Sequence, residues 1–235
     1  MGTKFSTRVW VSVVGIASIF FGSKGYADTV ISVADFGLKP DTRENAVAYV
    51  QKAIEACRGK EPVTLVFPEG RYDFWPQYAH EKNYYETNTY DVFPKRLAML
   101  FEGLHNITVD GNGSQFVMHD RIQPITVENC DGVTLKNFSI DWDIPLTAQA
   151  RVTKVGSDFF EIEINVLESP YIIEDGKLVF VGEGWKSALG SMIEFESDTH
   201  FVVPGTGDLV LGWNWGDYTA VSPRYGIVRL SLIHI

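Results

Sequence analysis

From Asp28 onward the chain is dominated by short alternations of apolar and polar residues, and one stretch keeps a helical spacing. Val30, Ile31 and Val33 open an extended segment that ends at Asp35-Phe36-Gly37 and a turn at Lys39-Pro40-Asp41. Ala46, Val47, Val50, Ala53, Ile54 and Cys57 then recur at three- and four-residue steps, which predicts an amphipathic helix. A strand over Val63-Thr64-Leu65-Val66-Phe67 is closed by Pro68-Glu69-Gly70 and reopened at Arg71-Tyr72.

Beyond that point short strands follow one another with a period. His105-Asn106-Ile107-Thr108-Val109-Asp110-Gly111 aligns with Asp131-Gly132-Val133-Thr134-Leu135-Lys136-Asn137 at an offset of 26. Between them lie Phe116-Val117-Met118 and Ile125-Thr126-Val127. Short strands punctuated by Gly, Asn or Asp are what a coil of a right-handed parallel β-helix needs, because one coil cannot bury its inner face alone. Asp110-Gly111-Asn112-Gly113 reads as a corner requiring positive φ. After Pro145 the alternation becomes stricter in Ala150–Val155, Phe159–Ile164 and Lys177–Val181, with hairpin signals at Gly156-Ser157-Asp158 and Glu174-Asp175-Gly176. The expected fold is therefore all-β: β-helix coils with a capping helix over 28–147 and an inserted antiparallel barrel or sandwich over 148–229.

Both ends alter the domain count. Residues 1–27 have the layout of a secretory signal peptide: a basic start at Lys4 and Arg8, an apolar run Trp10–Phe21 and a small-residue site Gly25-Tyr26-Ala27. The apolar run is short of the roughly 20 residues that span a bilayer, so the expectation is an exported protein, periplasmic or secreted, with no membrane span after signal removal. The last six residues, Leu230-Ser231-Leu232-Ile233-His234-Ile235, match one reading frame of a transposase end sequence used in sequencing libraries and read as a non-native tail; an apolar C-terminal strand is the alternative. The 235-residue chain carries a formal charge of −10, and losing residues 1–27 removes three bases and no acid, leaving −13. An acidic chain without a Lys/Arg block excludes nucleic acid as a natural partner.

Val33-Ala34-Asp35-Phe36-Gly37, Ala53-Ile54-Glu55-Ala56-Cys57 and Val66–Tyr72 together resemble the first coil of pectate-lyase-like β-helix enzymes. Arg71–Pro76, Asn88-Thr89-Tyr90-Asp91, Pro94–Ala98 and Asn137–Gln149 resemble, more narrowly, the N-terminal part of bacterial exo-α-1,3-galactosidases of glycoside hydrolase family 110. That resemblance covers residues 28–229. It implies hydrolysis of terminal α-1,3-linked galactose by an inverting pair of carboxyl groups, with no cofactor. The substrate it implies is a galactose-terminated oligosaccharide or glycoprotein glycan. It also implies that the catalytic carboxylates lie on later coils, beyond this chain, which would leave the chain inactive by itself. The alternatives are a pectate-lyase or polygalacturonase relative acting on acidic polysaccharide, and a non-catalytic β-helix adhesin or glycan-binding module.

Asp141 and Asp143 flank Trp142, and if Trp142 faces inward the two acids share the outward face. Strand residues two apart are separated by roughly 6.5–7 Å, near the lower edge of the gap inverting glycosidases use, so the pair is a catalytic candidate. The alternatives are solvated acids bonded to turn amides, or acids that hydrogen-bond sugar hydroxyls. Residues 72–93 hold eight aromatic residues, and sugar faces stack on such rings, so Trp75 joins Trp142, Asp141, Asp143 and Arg96 as candidate substrate contacts. Most of the rings should be packing. Arg71 and Arg96 either hold substrate or pair with Asp73 and Asp91, with pairing the default. Trp213-Asn214-Trp215-Gly216-Asp217-Tyr218 reads as barrel core or glycan contact. His80, His105, His119 and His200 lack metal-ligand spacing, so no metal is expected. Cys57 and Cys130 are either a disulfide or two buried thiols.

Overall fold

A computed structural model describes residues 29–84, 94–205, 209–210 and 217–233. The protein is mostly β. The strands are β1 Thr29–Ser32, β2 Val63–Val66, β3 Arg71–Phe74, β4 His80–Lys82, β5 Lys95–Glu102, β6 His105–Met118, β7 Gln123–Glu128 and β8 Asp131–Trp142. After Pro145 come β9 Ala150–Val155, β10 Phe159–Ile164, β11 Tyr171–Glu174, β12 Lys177–Gly182, β13 Trp185–Ala188, β14 Ser191–Met192, β15 Leu209–Val210, β16 Asp217–Arg224 and β17 Ile227–Ile233. A 3-10 turn occupies Val33–Phe36 and a single α-helix, α1, occupies Val47–Cys57.

The expected helix forms where its apolar spacing places it, and Val47, Val50, Ala53, Ile54 and Cys57 are buried along one face. Up to Trp142 the pairing is almost entirely parallel. β1 pairs β2, β2 and β3 both pair β6, β6 pairs β8, and β5 pairs β7; the exception is antiparallel β4–β5. The 26-residue offset is the register of β5 with β7 and of the first half of β6 with β8: Met99 lies opposite Ile125, and Ile107 opposite Val133. The corner at Asp110–Gly113 is a kink inside one long strand, β6. Asn112 and Gly113 take φ of 50° and 83°, and the register with β8 shifts between Asp110 and Ser114. The buried side chains of this parallel region, led by Phe67, Tyr72, Phe74 and Phe116, form the first core, capped by α1.

From β9 onward pairing is antiparallel, in sheets ordered β16-β17-β10-β9, β11-β12-β13 and β14-β15. The β11–β12 turn uses Asp175 and Gly176 at φ of 52° and 73°, the two positive angles that a tight hairpin of this hand requires. Ile162, Ile164, Leu178, Tyr218 and Leu230 belong to a second, separate core. None of the sheets closes on itself among the described residues. Leu230 is buried and Leu230–Ile233 lie in β17, so four of the six residues read as a non-native tail sit in a strand. Residues 1–27, Asn88–Asp91 and Trp213–Gly216 lie outside the described residues, as do Tyr85, Tyr90 and Phe93. Among the described residues no helix is long and apolar enough to cross a membrane.

Candidate functional site

The ends of β3, β6 and β8 lie side by side, because Phe74 pairs with Met118 and Met118 with Trp142. The next residue on each strand is therefore Trp75, His119 and Asp143. Backbone bonds from the His119 N–H to the Phe74 carbonyl (2.9 Å) and from the Asp143 N–H to the Met118 carbonyl (3.0 Å) carry the ladder one step further. Side chains alternate along a strand, so Tyr72 and Phe74 enter the core while Arg71 and Asp73 point to the opposite face. There the loop before α1 covers Asp73: the Ala46 N–H donates to its carbonyl at 2.8 Å, and Asn45 brackets Trp75.

The result is a cluster of five charged residues about a histidine. Arg71 Nη2 donates to Asp73 Oδ1 at 2.6 Å and to Asp143 Oδ1 at 2.8 Å. Arg43 Nη2 lies 3.5 Å from Asp143. His119 is wholly buried, with Nε2 2.9 Å from Asp73 and Nδ1 2.6 Å from Glu183 Oε2. The Trp75 ring stacks on the imidazole at 3.7 Å between centroids, 12° from parallel. Burial pushes the Asp73 carboxyl up, but hydrogen bonds from Arg71 and His119 and the charges of Arg71 and Arg43 outweigh it and hold the group below its ordinary range. The Arg71 hydrogen bond holds Asp143 low as well, and Arg71 is raised in return, chiefly by Asp73.

Asp73, His119 and Asp143 bring their ligand-type atoms within 4.8 Å of one another, the spacing a metal ion could bridge. The arrangement does not suit one, because the Arg71 guanidinium already stands between the two carboxylates. What it offers chemically is a partly open set of donors and acceptors. Arg43, Asp143 and Arg71 keep about half, 31% and 27% of their side chains exposed, above a buried Asp73.

The sequence candidates are distributed unevenly about this cluster. Asp143 is in it, and Trp75 is its wall. Asp141 stays outside: its Oδ1 accepts from the N–H of the next strand residue, Trp142, at 2.8 Å. Trp142 packs against the first core and donates Nε1–H to the Asp120 carbonyl at 3.3 Å. Arg96 lies in another sheet, 3.5 Å from Glu81, its antiparallel neighbour. Arg71 pairs with Asp73, as the default had it. Among the aromatic residues after Arg71, Tyr72 and Phe74 are core, and Tyr84 bonds Glu128 beside Lys82. Tyr218 belongs to the second core, packing as expected for the end of its cluster. Cys57 and Cys130 are separate thiols. Burial pushes the Cys57 thiol up to about 11, while the Cys130 thiol donates to the Phe101 and Glu128 carbonyls. Sequence reasoning takes His119 only as a histidine without metal-ligand spacing and does not single out Glu183. Their partners are 46 and 64 residues away in the chain, and no local spacing signals them.

Comparison with known proteins defines the class. Residues 148–232 match the family model described as GLAA-B beta-barrel domain I, a match that takes in Leu230–Leu232. Over 205 residues, 87% of this chain and 33% of the relative, the sequence is 58% identical to Alpha-1,3-galactosidase B of Bacteroides thetaiotaomicron. It is 36% identical over 71% of its length to Alpha-1,3-galactosidase A of Shewanella woodyi, covering 28% of that protein. It is 34% identical over 87% of its length to Alpha-1,3-galactosidase A of Bacteroides fragilis, covering 34% of that protein. The chain belongs to the family of these α-1,3-galactosidases. It spans about one third of the length of the curated relatives it matches.

Proposed function

We propose that the protein these residues build is an exported glycosidase that removes terminal α-1,3-linked galactose from oligosaccharides or glycoprotein glycans. The observation that carries this reading is the 58% identity to an α-1,3-galactosidase across 87% of the chain. In this reading the parallel strands β1–β3 and β5–β8 are coils of a right-handed β-helix, and β9–β17 are a barrel set beside them. The reaction is an inverting hydrolysis by a general acid and a general base carboxyl group, needing no cofactor. The catalytic pair belongs to the two thirds of the family length that these residues do not span, which is why the chain alone is expected to be inactive. The partly exposed Arg43, Arg71 and Asp143 are able to bond sugar hydroxyls as donors and acceptor.

The test is an assay of the protein extended to the length of its relatives on a disaccharide ending in α-1,3-galactose, with the α-1,4 isomer and an α-galacturonide as controls. Release of galactose from the α-1,3 substrate alone, with the β-anomer appearing first by NMR, supports the reading. Turnover of the galacturonide would favour a polygalacturonase relative, and binding without turnover would favour a glycan-binding module. N-terminal sequencing of the exported protein, expected to begin at Asp28, tests the signal peptide.

A further inference from the structure

The turn between β12 and β13 of the antiparallel region, Glu183-Gly184, sits on the corner His119-Asp120-Arg121 that follows β6. Three contacts define this seat. Glu183 reaches the buried His119 at 2.6 Å. Gly184, at φ 73°, comes so close that a Cβ there would lie 2.4 Å from Asp120 Oδ2. The Arg121 guanidinium lies 5.7 Å from the Trp185 ring centre. Only the first of these depends on how many protons the imidazole carries.

We propose that the chain Asp73–His119–Glu183 is a proton-operated latch between the parallel strands and the antiparallel region. An imidazole with a carboxylate on each ring nitrogen satisfies both only as the doubly protonated cation; with one proton, a lone pair must face a carboxylate. The weaker end gives way. Asp73 is fully buried and also held by Arg71 through Nε and Nη2, with Arg43 at 4.0 Å, so it keeps the remaining Nε2–H. Glu183 has 41% of its side chain exposed, and water can take over its hydrogen bonds. The other charged groups facing the histidine are Asp143, beyond Arg71, and Asp120 and Arg121 on its own corner. Trp75, stacked on the ring, favours the cation. The latch is therefore closed while the imidazole carries both protons and opens when it gives one up.

Hydrogen exchange over residues 181–186, followed from pH 5 to 8.5 and corrected for intrinsic rates, reads the latch. A lost charge-assisted bond predicts a rise of about tenfold or more with pH. Tryptophan emission should step over the same range in the wild type and lose that step in Trp75→Phe. His119→Gln has no proton to lose and should show no pH step. Glu183→Gln, at an exposed position that leaves folding intact, can turn its amide to suit either form of the ring and should stay protected throughout. A wild type without a step, or an exchange step that survives in His119→Gln or in Glu183→Gln, overturns the latch.

Discussion

Asp73 is the residue on which the cluster turns. Its side chain is fully buried, takes three guanidinium bonds from Arg71 and one imidazole bond, and is held below the ordinary carboxylate range. Removing its charge in Asp73→Asn leaves Arg71 and His119 short of a partner, at a cost of about 3–5 kcal/mol in unfolding free energy. The acid dependence follows from linkage. A carboxyl depressed in the folded state stabilises fully above its unfolded value of about 3.9, and that contribution disappears as pH falls through the folded value. Urea titrations from pH 6 to pH 2 should show this loss in the wild type and a shallower one in Asp73→Asn; equal slopes would refute the assignment. The default pairing of Arg71 with Asp73 was legible because the two lie two apart on one strand and so share a face. Glu183 was not legible, since it arrives from a different sheet.

Between elements, β6 joins the first core to β8. Phe116 touches Phe67, Tyr72, Phe74 and Phe138, the last in a stack with centroids 4.8 Å apart. The strands can approach this closely because Gly111 has no side chain. A Cβ there would meet Phe138 Cβ at 2.5 Å and the Asn137 carbonyl oxygen at 2.7 Å. Both are backbone-fixed, so Gly111→Ala must push the strands apart and should cost about 1–3 kcal/mol by chemical denaturation. A change of a few tenths would show that the corner relaxes freely. The glycine was expected as a turn former. Its role is different: the positive φ falls on Asn112 and Gly113, and Gly111 serves close approach.

For the whole molecule, the outer edges of β7 and β8 are unpaired among the described residues. Val127, Leu135 and Ile140 on them are each about 40% exposed or more. Open parallel edges with apolar side chains recruit further strands. These residues expressed alone should therefore self-associate with rising concentration, and Leu135→Lys with Ile140→Lys should reduce this in sedimentation velocity; a monomer at all concentrations would contradict it. The sequence by itself determined the local elements: α1, the short strands, the hairpin turns and the 26-residue register, all set by spacing along the chain. It also carried the family resemblance, a property of residue order. The tertiary structure alone decided which charges meet, because a cluster built from residues 43, 71, 73, 119, 143 and 183 depends on strand ends brought together by lateral pairing. Spacing along a strand records which face a side chain takes, but only packing between strands determines what it finds there.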